Sequence, residues 1–311
     1  NGEFVKITIV VPRGKIFLQG FLGEYPYVTL CEVSRSRPRE VVRLLLRVRV
    51  AQSPVVAVIH PTPGHIPFFV KFFAWALTRG KGSMLVGFQD AGLLCQKLYT
   101  KCLIYNTQQN YSETVRDIVR AAGVISDIGA PRLLCVAKLG VLEYVVFHPG
   151  ASAQKRTFSL EAATSCISFM LKNPDIKVVL SGGSDERDCI EKILKQVEKN
   201  IRKRVVVALG LPAEEISTLL LGAKLFVGTD TGITHLTCFL GVKTLVAAHH
   251  GTANWLPFYA PNATVLYRLE EDAEAHEGKE YLGVHRQGRL KPFADVPTSA
   301  ILETIAKALL I

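Results

Sequence analysis

Three short segments carry side chains suited to a bound anion, and each follows an apolar run of strand type. His148-Pro149-Gly150-Ala151-Ser152, followed by Lys155, comes after Tyr144-Val145-Val146-Phe147. Gly150 and Ala151 permit close backbone approach, Ser152 can donate a hydrogen bond, and Lys155 supplies a cation for a phosphate. Gly228-Thr229-Asp230-Thr231-Gly232-Ile233-Thr234-His235 comes after Lys224–Val227 and opens an apolar stretch of helix type. Thr231 and Gly232 then stand in the first helical turn, where free N–H groups and the positive end of the dipole favour an anion. Asp230 would repel a phosphate it touched, so orienting the loop or hydrogen bonding a sugar hydroxyl suits it better, and His235 completes the segment. Leu180-Ser181-Gly182-Gly183-Ser184-Asp185-Glu186 repeats the order strand, Gly-rich turn, helix, without the GxGxxG spacing of a dinucleotide fingerprint. Its Glu186 is of the type that accepts from ribose hydroxyls. Each segment also has a plainer reading: a Pro-Gly turn with a solvated lysine, a Thr/Asp helix cap over a buried histidine, and an acidic first turn.

These segments need strands to end where they begin, and the chain supplies that alternation. Strands read at Val5–Val11, Val28–Val33, Pro54–His60 and Ser83–Gly87, then at Tyr144–His148, Lys177–Ser181, Arg204–Ala208, Lys224–Gly228 and Lys243–Ala247. Helical periodicity falls at Pro38–Val48, His65–Arg79, Ser112–Ala122, Leu160–Lys172, Asp185–Asn200, Ala213–Leu221, Ile233–Leu240 and Ser299–Leu310. Alternating βα units specify an α/β protein with parallel sheets, and the length suits two domains joined near Gly129–Gly140.

In order, HPGAS with Lys155, LSGGSDE, and LGLPAEEISTLLLGAKLFVGTDTGITHLTCFLGVKTL resemble glycosyltransferase family 9, the ADP-heptose:lipopolysaccharide heptosyltransferases, over about residues 143–260. The resemblance implies a GT-B architecture, two Rossmann-like domains facing a cleft. Residues 1–140 would be the acceptor side and residues 141–311 the nucleotide-sugar-binding side. It further implies an inverting, metal-independent transfer of a heptose or related sugar. The donor would be a nucleoside-diphosphate sugar, ADP-heptose in this family, and the acceptor a lipopolysaccharide-core-type anion, with no other cofactor. Carried over by residue, Ser152 and Lys155 match the loop holding donor phosphates and Glu186 an acidic position near the ribose. Asp230, Thr231, Gly232 and His235 match the diphosphate-and-sugar loop. A nucleotide-sugar epimerase of the same fold, or a catalytically silent nucleotide-sugar-binding relative, are the alternatives.

The resemblance is incomplete at two places. The family's opening strand and Gly-Asp loop, whose Asp is the expected general base, have no counterpart: Phe4–Pro12 looks like the family's second strand, so the N-terminal domain reads as short by one βα unit. Glu24 and Asp90 are the nearest acidic residues, and neither stands at a matching position. Ala248-His249-His250-Gly251-Thr252-Ala253-Asn254 replaces a Phe-Gly-Pro-Thr-like loop, leaving His250 and Asn254 as nucleotide or sugar contacts or as loop packed by Trp255 and Pro257.

The net charge of +10 is concentrated: residues 1–140 hold 18 Lys and Arg against 8 Asp and Glu, whereas residues 141–311 hold 19 of each. The first half is therefore expected to meet an anion. Arg39, Arg43 and Arg47 share a helical face within a segment that also carries Arg35, Arg37 and Arg49. That face suits a phosphorylated, lipid-linked saccharide acceptor at an anionic membrane surface, or is simply solvated. No RRM, KH or zinc-finger signature accompanies the arginines, so nucleic acid is not an expected partner. Apolar runs are too short to span a membrane, and no secretory signal opens the chain, so a cytoplasmic protein is expected, peripheral at the inner face of the cytoplasmic membrane. Seven scattered cysteines without a CxxC pair read as reduced, buried thiols.

Overall fold

The computed structural model describes residues 7–12, 28–33, 56–58, 83–88, 97–104, 106, 109–123, 142–250, 255–271, 274–278 and 293–310, with single positions at 39, 43, 46, 72, 75, 76 and 78. The chain divides into two compact units, Asn1–Gly129 and Ala130–Ile311.

In the first unit β1 (Ile7–Pro12) pairs parallel with β2 (Val28–Val33), and β3 (Val56–Val58), β4 (Met84–Phe88) and β5 (Lys101–Leu103) form a second parallel sheet. Helix α1 (Tyr111–Ala121) starts where the Asn110 side chain accepts from the Ser112 N–H at 3.0 Å, and it buries Ile118 against Val86 and Phe88 of β4. Strands and α1 fall where alternation and the Gly123 stop placed them. The short β5 was not anticipated, because Lys101-Cys102-Leu103 is too brief to show a pattern. Arg39 and Arg43 are helical and exposed, as that basic face requires. Arg47, Glu24 and Asp90 lie outside the described residues.

The second unit runs β6 (Leu142–His148), α2 (Leu160–Met170), β7 (Lys177–Gly182), α3 (Arg187–Gln196), α4 (Lys199–Arg202), β8 (Val205–Leu209), α5 (Ala213–Leu221), β9 (Ala223–Gly228), α6 (Gly232–Phe239) and β10 (Thr244–Ala248). It continues through β11 (Ala263–Leu269), β12 (His276–Gly278), β13 (Phe293–Ala294) and α7 (Thr298–Leu309). Its sheet has the order β12-β11-β10-β9-β6-β7-β8, parallel from β11 to β8, with β12 antiparallel at one end and β13 pairing β11. Read by sequence, the parallel run is the 3-2-1-4-5-6 order of a doubly wound Rossmann-type sheet. Central strands are buried on both faces, as helices on both sides demand: Val145, Val146, Phe147, Phe226, Val227, Val246 and Ala247 are fully buried. Helices α2 and α7 pack on one face, where Ile167, Met170, Ile301 and Ile305 join the core.

The single helix expected over Asp185–Asn200 is instead a 3-10 turn at Ser184–Glu186, then α3 and α4. The break has a packing cause: Val197 is extended and buried in the core. Arg202 staples the interruption, donating from Nη2 to the carbonyls of Val197 at 2.6 Å and Lys195 at 3.1 Å.

Candidate functional site

A change of direction in strand order leaves a crevice between β6 and β9, because their following helices lie on opposite faces of the sheet. These two strands pair directly, His148 opposite Gly228. The loops leaving their carboxyl ends line one open cavity of about 320 Å³, walled by Ser152, Arg156, Asp230, Thr231, Gly232, His235 and Trp255.

The loop after β6 is held by its own ends. Phe158 donates its N–H to the Pro149 carbonyl at 2.9 Å, and its buried ring packs edge-on against Phe147 at 5.1 Å and His249 at 4.9 Å. The short 3-10 turn Gln154–Arg156 is thereby raised over the strand end, with Arg156 half-buried and Lys155 exposed. Arg156, rather than Lys155, lines the cavity. Its Nη2 donates to Ser152 Oγ at 2.7 Å and its Nη1 lies 3.7 Å from Asp230 Oδ2, so the guanidinium bridges the two loops.

The loop after β9 leads straight into α6. Thr231 is the extended cap residue, but its side chain makes no capping bond; Thr231 Oγ1 lies 3.2 Å from Thr234 Oγ1, which donates to the Thr229 carbonyl at 2.5 Å. The Thr234 and His235 N–H groups donate to the Thr231 carbonyl at 3.1 and 3.3 Å, so the N–H groups of Gly232 and Ile233 are the ones left without a cap, with Gly232 on the cavity wall. A Cβ added at Gly232 would meet nothing within 4 Å. Asp230 Oδ1 lies 3.5 Å from His235 Nε2, and His235 Nδ1 is 2.8 Å from the Tyr259 hydroxyl.

Glu186 lies deeper than its sequence context suggests. Its Oε2 accepts from the Gly183 N–H at 2.6 Å and stands 4.0 Å from His148 Nε2, whose Nδ1 is 3.2 Å from Ser181 Oγ. A Cβ at Gly150 would fall on Glu186 Oε1, so the carboxylate packs directly on the His148-Pro149-Gly150 turn. Burial pulls the His148 imidazole below its ordinary value, against the opposing pull of Glu186 and the Ser181 bond, so it stays neutral.

Beside the cavity, His249 Nδ1 and His250 Nε2 each lie 3.4 Å from Asp295 Oδ1. Burial holds His249 below the ordinary histidine value, opposed by Asp295 and reinforced by His250. Asn254 lies outside the described residues. No helix among the described residues is long and apolar enough to cross a membrane. No group of three or more His, Cys, Asp or Glu that could hold a metal occurs among them either.

The structure thus brings Ser152, Asp230, Thr231, Gly232 and His235 to one cavity, sets Glu186 behind it and leaves Lys155 at its outer edge. Sequence reasoning missed Arg156, although its neighbour was named. It missed His148 and Ser181 as a clasp, and Tyr259, which no motif marks.

Residues 132–284 match the family described as Glycosyltransferase family 9 (heptosyltransferase). A comparison with curated protein sequences finds no match. Among solved structures, the chain is similar to the E. coli ADP-heptose lps heptosyltransferase II, with TM-score 0.70 and 15% identity over 98% of this chain and 89% of that one. It is also similar to the E. coli heptosyltransferase WaaC with ADP, with TM-score 0.66 and 16% identity over 96% and 89%. The glycosyl transferase family 9 protein of Veillonella parvula DSM 2008 gives TM-score 0.65 and 16% identity over 84% and 76%. With two units of parallel α/β build, these likenesses show a GT-B fold of two Rossmann-like domains, within which residues 132–284 are similar to glycosyltransferase family 9.

Proposed function

We propose that this chain is an inverting, metal-independent glycosyltransferase that moves a heptose or related sugar from a nucleoside-diphosphate donor to a phosphorylated, lipid-linked saccharide of lipopolysaccharide-core type. The observation that carries the reading is the bridge made by Arg156 between the two loops at the β6/β9 crevice, beside the uncapped start of α6. In such a transfer the acceptor hydroxyl attacks the anomeric carbon and releases its proton to water, the bond from that carbon to the diphosphate oxygen breaks, and the nucleoside diphosphate leaves with the electron pair. Charge then grows on the departing oxygen, and stabilising it requires fixed positive ends aimed at that point. Arg156 and the α6 N–H groups supply them here, with Ser152 and Thr231 as hydroxyl donors and Lys155 as an outer cation. ADP is the nucleotide favoured, since WaaC was solved with it.

Asp230 serves this arrangement indirectly. A carboxylate against a diphosphate is repulsive, whereas one placed between Arg156 and His235 orients both. Glu186, with 21% of its side chain exposed, keeps the β6 turn against the β7 turn and offers a remaining lone pair to the ribose. On the first unit, exposed Arg39 and Arg43 are the acceptor-side cations, working at the inner face of a cytoplasmic membrane.

Titration calorimetry with ADP tests the donor half: saturable heat is expected, weakened about tenfold or more in Arg156→Ala, since hydrogen bonds to charged groups are worth about 1.5–3 kcal/mol. An absence of heat with ADP, GDP and UDP alike would remove the reading. Turnover is read as ADP release from ADP-heptose in the presence of heptose-deficient lipopolysaccharide.

A further inference from the structure

Tyr259 lies beyond the cavity wall, yet it is joined to that wall by a continuous chain of polar contacts. Its hydroxyl stands 2.8 Å from His235 Nδ1; His235 Nε2 stands 3.5 Å from Asp230 Oδ1; Asp230 Oδ2 stands 3.7 Å from Arg156 Nη1. The phenol ring is fixed by stacking between His235, at 6.0 Å and 16°, and Phe239, at 5.5 Å and 25°, and it packs on the cluster of Cys238, Ala260 and Ala263. A neutral imidazole carries its proton on one nitrogen, and the partner of each nitrogen decides which.

Two contacts bias the ring toward the same tautomer, the 3.5 Å contact to Asp230 weakly and the 2.8 Å contact to Tyr259 decisively. A lone pair turned toward the Asp230 carboxylate would be repelled, whereas an N–H there is attracted, which puts the proton on Nε2. The Tyr259 hydroxyl needs an acceptor, and among the described residues His235 Nδ1 stands within hydrogen-bonding distance of it, which leaves Nδ1 bare. Burial raises the Tyr259 phenol well above its ordinary value, with Cys238 and Asp230 adding to the rise, so the donor is never lost under working conditions.

We infer that Tyr259 is a positioning residue: by donating to His235 Nδ1 it fixes the Nε2–H tautomer of His235, which holds Asp230 and, through it, the Arg156 guanidinium in the cavity. The inference rests on the donor-site reading above for its effect on binding, but not for its chemistry. Among the described residues the groups facing the His235 ring are Asp230 from the β9 loop and Tyr259 from the segment before β11, and Arg156 of the β6 loop acts on it through Asp230.

The test compares parent and Tyr259→Phe, which keeps the stacked ring and removes only the hydroxyl. Nitrogen-15 NMR of the full chain is expected to show His235 with a protonated Nε2 and a bare Nδ1 in the parent, and a mixture of tautomers in Tyr259→Phe. Calorimetry is expected to show ADP affinity falling about three- to tenfold in the variant, the range of one hydrogen bond. In a His235→Ala background the same substitution is expected to change ADP affinity by less than about twofold, because the relay is already cut.

A parent His235 protonated on Nδ1 overturns the inference, as does an unchanged tautomer or an unchanged ADP affinity in Tyr259→Phe. The parent spectrum needs neither variant nor ligand, so it decides even where Tyr259→Phe fails to fold. A parent that binds no ADP counts against the donor-site reading, while the tautomer still decides this one.

Discussion

Arg156 and Glu186 show how strongly single side chains are constrained here. Gly150 has no room for a side chain because the Glu186 carboxylate lies on its α-carbon. Gly150→Ala is therefore expected to displace the Glu186 carboxylate from the Gly183 N–H at a cost of about 0.5–1.5 kcal/mol, the worth of one hydrogen bond, measured as a lowered urea midpoint. In a Glu186→Ala background the same change should cost almost nothing, and an undiminished cost there would show that the crowding lies elsewhere. A pH effect belongs to the same scale. Burial lowers both His148 and His249 from the ordinary 6.5, so below that value the unfolded chain takes up protons that the folded chain refuses. Stability contributed by the neutral rings is complete above about pH 6.5 and is lost as the pH falls through the depressed folded values. Urea midpoints taken from about pH 7.5 down to about 5 should fall, and His148→Gln should flatten part of that slope.

Among the elements, α6 decides most. Its first turn carries no side-chain cap, and a methyl group at Gly232 would project into open space. Gly232→Ala is expected to leave thermal stability unchanged or slightly raised, because alanine suits a helix better than glycine. ADP affinity should nevertheless fall about tenfold, since the methyl occupies the approach to the free N–H groups. Equal affinity in the two proteins would mean that the anion sits elsewhere. This element was legible in the sequence: Lys224–Gly228 and Ile233–Leu240 bracket a turn of Thr, Asp and Gly, and the observed β9 and α6 differ from those bounds by a residue. The α3/α4 break was not, because Val197 leaves the helix for a tertiary reason, burial beneath the sheet, which local periodicity does not register. Nor was Arg156 separable from Lys155, since adjacent cations are equivalent until a turn's geometry points one inward. Tyr259 was invisible for a related cause: its partner His235 stands on another element, and no spacing links the two. β12 and β13 went unread because runs of three and two residues are too brief to show a pattern.

For the molecule as a whole, charge and topology set the terms. The excess of cations lies in residues 1–140, where Arg39 and Arg43 are exposed on a helix. Reversing both, as Arg39→Glu with Arg43→Glu, should cut co-sedimentation with anionic vesicles at least about tenfold, given about 1 kcal/mol per basic residue near such a surface. Calorimetry with ADP should be unchanged in that variant, because the loops proposed to hold the donor belong to the second unit. Pelleting equal to that of the parent would remove the membrane-facing role. The adjacency of β6 and β9 has a temporal consequence. During translation the loop after β6 leaves the ribosome early, but the strand beside it follows only after β7, β8 and α5 have been made. Half of the pocket therefore waits for its other half. In refolding, such long-range pairing comes late, so nucleotide capture should lag behind the recovery of helical signal and mark the last stage of maturation.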